Sequence, residues 1–146
     1  MKRTLGAVML LILSATVVPS AYADSGCSDA TITGKYGFNL SGFTVPGKPT
    51  KGHEVPWAAT GILAFDEAGN VSASYAAVIN GTSFKNQTTS GTYTVNSDCT
   101  GSLSFTSGDD AGGTFNLVII GDGTEILALS TEKGSTATVD IKKLGN

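Results

Sequence analysis

The sequence predicts an all-β fold, an antiparallel up-and-down meander of about eight strands closed into a small barrel, with a β-sandwich as the alternative. Three observations predict it. Past residue 23, apolar and polar residues alternate with a period of two, and helical periodicity is nearly absent. The alternating runs are joined by short stretches rich in Gly, Asn and Asp, which supply the positive φ angles of hairpin turns. Strands joined this tightly lie side by side, and an open sheet of that size would expose two edges and one apolar face, so closure follows.

Each run assigns its residues to faces by parity. In "GKYGFNLSGF", Tyr36, Phe38 and Leu40 share one face. "WAATGILAF" aligns Trp57, Ala59, Gly61, Leu63 and Phe65, and "VSASYAAVI" aligns Val71, Ala73, Tyr75, Ala77 and Ile79. Tyr93 pairs with Val95, then Leu103 with Phe105. "TFNLVII" gives Phe115, Leu117 and Ile119, "EILALST" gives Leu127 and Leu129, and "TATVDIKKL" gives Ala137, Val139 and Ile141. The turns fall at 66–70, 80–81, 96–101, 107–113, 121–123 and 133–134, and Asn80-Gly81 is the strongest hairpin signal. Small inner residues (Ala59, Gly61, Ala73 and Ala77) either leave a cavity or let two walls approach.

One connection differs. "TVPGKPTKGHEVP", residues 44–56, carries Pro46, Pro49 and Pro56, the only histidine, His53, and Glu54, and it runs into the only tryptophan, Trp57. Long connections of this kind serve as lids or binding elements, and the prolines restrict what this one can sample. It is the expected mouth of any site.

The chain opens "MKRTLGAVMLLILSATVVPSAYADSG". Lys2 and Arg3, an apolar core and Ala21-Tyr22-Ala23 have the grammar of a secretory signal peptide, residues 1–23, cleaved after Ala23. Residues 24–146 then form a single domain, periplasmic or secreted, with no stable membrane insertion once the leader is removed. That domain holds seven lysines, no arginine and twelve acids, a net charge of −5. Without guanidinium groups it is poorly equipped to grip phosphate backbones, which argues against nucleic acid. Export places Cys27 and Cys99 in an oxidising compartment, so a disulfide between them is expected.

"SGTYTVNSDCTGSLSF", with "GILAFDEAGNVSAS" and "TITGKYGFNLSGF" before it, resembles a group of small exported bacterial proteins of unassigned function that carry G-x-Y-x-V-x-x-D-C-x-G. The chain also resembles the allene oxide cyclase barrel-like class, and that resemblance implies a calycin-like eight-stranded barrel. It transfers no catalytic residue onto a position of this chain.

Chemistry is sparsely provided for. A nucleophile needs a base and an orienting group, and His53 is the only imidazole. No G-x-S-x-G elbow and no D-x-[DN]-x-[DN]-G calcium loop occurs, and one histidine with two bridged cysteines cannot fill a zinc shell. Asp109-Asp110 and Asp66-Glu67 are expected to be solvated turn acids. The expectation is therefore a non-catalytic exported barrel, without cofactor or metal, that binds a small apolar ligand through Trp57, Tyr75, Tyr93 and Phe65. Two alternatives stand beside it. One is a cyclase or isomerase-type barrel enzyme moving a proton with His53 or Glu54. The other is a structural or interaction protein with a closed, dry core.

Overall fold

The computed structural model describes residues 26–45 and 53–145. The leader expected at 1–23, and residues 46–52 of the proline-rich connection, lie outside the described residues. A 3-10 turn, Asp29–Ile32, precedes eight strands: β1 Gly34–Thr44, β2 Val55–Phe65, β3 Asn70–Ile79, β4 Thr82–Val95, β5 Thr100–Gly108, β6 Thr114–Ile120, β7 Glu125–Ser130 and β8 Ser135–Lys143. Each pairs antiparallel with the next, and β8 pairs with β1, so the sheet is a closed barrel rather than a sandwich.

The core is the inner wall of this ring. Tyr36, Leu40, Ala59, Leu63, Phe65, Val71, Ala73, Ala77, Tyr93, Leu103, Phe105, Phe115, Leu117, Ile119, Ala137, Val139 and Ile141 are all buried, on the parities their strands predict. Many outward positions of β3, β4 and β5 are Ser and Thr, several of them hydrogen-bonded across strands, as Ser90 is to Ser107 at 2.7 Å.

Strand β7 corrects the sequence expectation. Its buried residues are Ile126, Ala128 and Ser130, while Leu127 and Leu129 are 41% and 50% exposed. The register decides this. Ile126 lies opposite Ile119 and Ile141, Ala128 opposite Leu117 and Val139, and Ser130 opposite Phe115, all on inner faces. Directly opposed residues share a face, so the neighbours fix the parity of a strand that is apolar on both sides. Strand β4 is also longer than the alternation suggests, because its polar first half, from Thr82, continues the ladder against β3 through one irregularity between Tyr75 and Ala77.

The hairpin chemistry is as expected. Asn80 and Gly81 have φ of 48° and 80°, the paired left-handed conformation of a two-residue primed turn. The turns at 66–69 and 96–99 are built alike. In each, the first residue's carbonyl accepts from the fourth residue's N–H, at 3.4 Å from Gly69 to Asp66 and 3.1 Å from Cys99 to Asn96. The fourth position is left-handed in both: Gly69 has φ 81° and Cys99 has φ 64°. Cys99 therefore occupies a backbone position that favours glycine, because its side chain is needed there.

That side chain bonds to Cys27, with the two Cα atoms 4.9 Å apart, and fastens the segment before β1 across one end of the barrel. Ile32 follows as a fully buried plug. The Asp29 carboxylate accepts from the Val95 N–H at 2.6 Å, and the Tyr93 hydroxyl donates to the carbonyl of Asp66, 3.1 Å from that of Asp29. The Tyr36 hydroxyl donates to the Gly123 carbonyl at 2.6 Å, and burial, then the neighbouring Tyr93, pushes its pKa up to about 12. Phe65 stands edge-on between the rings of Tyr36 and Tyr93, at 5.4 and 5.0 Å. This end is sealed.

The bridge closes a span of 72 residues, for which restriction of the unfolded chain contributes about 2–4 kcal/mol. Cys27→Ser with Cys99→Ser should lose that much in urea unfolding. Cys27→Ser with Cys99→Gly should recover about 1 kcal/mol of it, because glycine adopts φ near 64° without steric cost. Equal midpoints for the two double variants would show that position 99 carries no such strain.

Candidate functional site

The opposite end is built differently. It gathers the end of β1, the starts of β2, β6 and β8, and the turns at 80–81, 109–113 and 131–134. From it a cavity of about 40 Å³ runs into the barrel, lined chiefly by Phe38, Trp57, Leu63, Tyr75, Phe105 and Phe115, with Thr89 and Asp110 as its polar members. A water needs about 10–15 Å³ of such space, so there is room for a few small groups and most of the interior is filled.

Glycine makes the aromatic wall. Gly61 on β2 lies between Phe38 on β1 and Tyr75 on β3. A Cβ at Gly61 would come within 2.6 Å of the Tyr75 Cβ, so only hydrogen at this position lets the neighbouring ring settle there. The Phe38 and Tyr75 rings meet at 6.3 Å and Phe105 and Phe115 at 6.2 Å, both within the usual range for aromatic pairs.

Asp110 corrects the expectation of a solvated turn acid. Its neighbour Asp109 does face out, accepting from the Thr88 N–H at 2.7 Å. Asp110 instead lines the cavity. The cause is a bulge. On β4, Thr89 and Gly91 both point inward; on β5 they oppose Gly108 and Phe105, which are three residues apart rather than two. The extra residue reverses the parity of β5 and carries Gly108 and then Asp110 onto the inner face. Bulges beside sites commonly re-aim a side chain in this way.

The electrostatics follow from that placement. Burial, reinforced by the charge of Glu132, pushes the Asp110 carboxyl up to about 6. Burial, then the charges of Asp110 and Asp109, pushes the Tyr75 hydroxyl up to about 12. Thr89 is already engaged, donating to the Ser107 carbonyl at 2.7 Å. Among the described residues, Asp110 has no hydrogen bond or ion pair through its side chain, and the hydroxyls of Ser130 and Ser135, at the same end, have no hydrogen-bond partner.

Of the residues singled out from the sequence, Trp57 and Tyr75 stand on the cavity wall, whereas Phe65 and Tyr93 pack in the sealed end. His53 and Glu54 are exposed, just before β2 and off the cavity wall. The described residues contain no cluster of three or more potential metal ligands. None of their helices is long and apolar enough to cross a membrane. The polar member that sequence reasoning missed is Asp110, whose inward aim depends on the bulge and leaves no periodic trace in "FTSGDDAGG".

A folded pKa near 6, raised above the unfolded value of about 3.9, means that the folded state binds the proton more tightly. Stability is then fullest below the unfolded pKa and declines as pH rises through the folded one. Allowing for partial solvent screening, the decline from pH 4 to pH 7 should be about 1–2 kcal/mol. Asp110→Asn should remove it, so wild type and variant diverge progressively across this window in unfolding titrations. A constant difference would show that Asp110 titrates as a solvated acid.

No protein family, curated protein or solved structure matches the chain.

Proposed function

We propose that this protein is an exported carrier or sensor barrel that binds a small, predominantly apolar ligand beneath Trp57 and performs no chemistry on it. The observation that carries this reading is the cavity, walled by Phe38, Trp57, Tyr75, Phe105 and Phe115 and reaching the end of the barrel that the N-terminal segment does not seal. Binding sites are concave and mostly apolar, with few polar groups fixing orientation. Here the polar groups are Asp110 and the Tyr75 hydroxyl. Export is supported by the leader grammar of residues 1–23 and by the Cys27–Cys99 bridge, a bond favoured in oxidising compartments. Kinship with the allene oxide cyclase barrel-like class is part of the same proposal. It is supported by the Gly91–Gly101 motif and by a closed meander of eight strands.

Trp57 is the only tryptophan and lines the cavity, so its emission is a built-in reporter. Small apolar compounds should shift that emission saturably and raise thermal stability, by about 2.7 kcal/mol at a hundredfold excess over Kd. Ala59→Met, which fills the cavity from β2, should abolish both responses while the protein stays folded. Unchanged emission and stability across alkyl and aromatic compounds would favour the closed, dry core instead.

A further inference from the structure

We propose that the ligand is an organic cation: an apolar body carrying a protonated amine or quaternary ammonium head, held between the carboxylate of Asp110 and the ring faces of Phe38, Trp57 and Tyr75. This inference rests on the ligand-binding reading above and specifies the chemistry of the same site.

Three features of the cavity select the charge. The first is the wall. Phe38, Trp57 and Tyr75 come from three adjacent strands, β1, β2 and β3, and Gly61 leaves room between Phe38 and Tyr75. Aromatic faces carry negative potential and attract a cation, most strongly where water is excluded, and tryptophan does so best. The second is the carboxylate. Asp110 has no hydrogen-bond or ion-pair partner among the described residues, yet it lines an otherwise apolar space. An ionised carboxylate in such a place calls for a compensating cation or donor.

The third is the surrounding charge. The groups that act on Asp110 and Tyr75 are Glu132 from the β7–β8 turn and Asp109 from Asp110's own turn, both acids, and the described cation nearest in sequence to Glu132 is Lys133 in that same turn. An ammonium head placed here relieves repulsion between Asp110 and Glu132. A fatty-acid carboxylate would add a third negative group, so the usual apolar anions are selected against. The raised Asp110 pKa agrees with this arrangement, since its carboxylate is desolvated and has no positive partner among the described residues. The cavity's size, about 40 Å³, suits a short apolar body inside it, with the ammonium head beside Asp110 in the turn at the open end.

The test uses matched series of n-alkylammonium ions, n-alkanols and n-alkanoates with four- to eight-carbon chains. Each is titrated into the disulfide-bonded protein at pH 8, with Trp57 emission and calorimetry as readouts. The expected order is ammonium tightest, alcohol weaker, carboxylate weakest. Asp110→Asn should weaken ammonium binding about ten- to a hundredfold, the range for a hydrogen bond to a charged group, and leave the alcohols nearly unchanged. Lowering the pH from 8 to 5 should weaken the ammonium series alone, as Asp110 takes up its proton. Alcohols and ammonium ions of equal affinity, or carboxylates that bind as well, would overturn the cation assignment and leave apolar binding intact. Failure of all three series to bind would overturn both. The wild-type ranking decides the matter even if Asp110→Asn does not fold.

Discussion

Everything in this structure depends on the closing seam between β1 and β8. Strand β1 pairs with β2 along one side and with β8 along the other, from Tyr36 opposite Lys143 to Thr44 opposite Ser135. That seam removes both edges, and it also fixes the circumference. Eight strands enclose an interior just wide enough to be filled by side chains or to hold one small ligand. Whether space remains is then decided by the sizes of the inward residues, ring by ring. Where Tyr36, Phe65 and Tyr93 meet, the interior is full. Where Ala59, Ala73 and Ala128 face rings from other strands, it is not.

A closed cylinder still has two ends, and here they are treated oppositely. The first described residues fold back over one end, held by the Cys27–Cys99 bond, the Ile32 plug and the Asp29 contacts with β4. These interactions satisfy backbone groups that would otherwise be buried without partners, which is the usual condition for burying a non-ladder segment. The other end has no such cover among the described residues, and there the buried hydroxyls of Ser130 and Ser135 have no hydrogen-bond partner among the described residues while Asp110 lines the cavity. That asymmetry supports locating the proposed site at the end away from the Cys27–Cys99 bond.

The ring was legible in the sequence because alternation and turn chemistry are local signals. Asn80-Gly81 declares its turn without help from the rest of the chain. Cys99 was legible as half of a bridge, but its left-handed backbone emerges only by comparison with Gly69 in the matching turn. Strand β7 was misassigned because "EILALS" is apolar on both faces, and Leu127 and Leu129 outrank Ala128 and Ser130 on any scale of hydrophobicity. Only the register against β6 and β8 tells them apart. The site suffered in the same way. Trp57 and Tyr75 follow from strand parity, whereas Asp110 is inward because one residue was added between Phe105 and Gly108. A parity rule carried through that bulge gives the wrong face for the residues between it and the next turn. Register and bulges are non-local, and that is where sequence reading stops.

The same non-local choice ties stability to occupancy. At neutral pH the fold holds an ionised Asp110 near Glu132 in apolar surroundings, an arrangement that weakens it. A group that removes this penalty on binding stabilises the folded state by the same free energy, since ligand affinity and folding are linked reciprocally. On the proposed reading, the cost of keeping Asp110 inward belongs to the empty barrel and is absent from one that holds a cation. Replacing it with an apolar residue would strengthen the empty barrel, as buried charges generally do when exchanged for well-packed hydrophobic groups. The same replacement would also remove the carboxyl from a cavity whose other lining residues are almost all apolar. On the proposed reading, a positive occupant offsets the cost of that inward carboxylate.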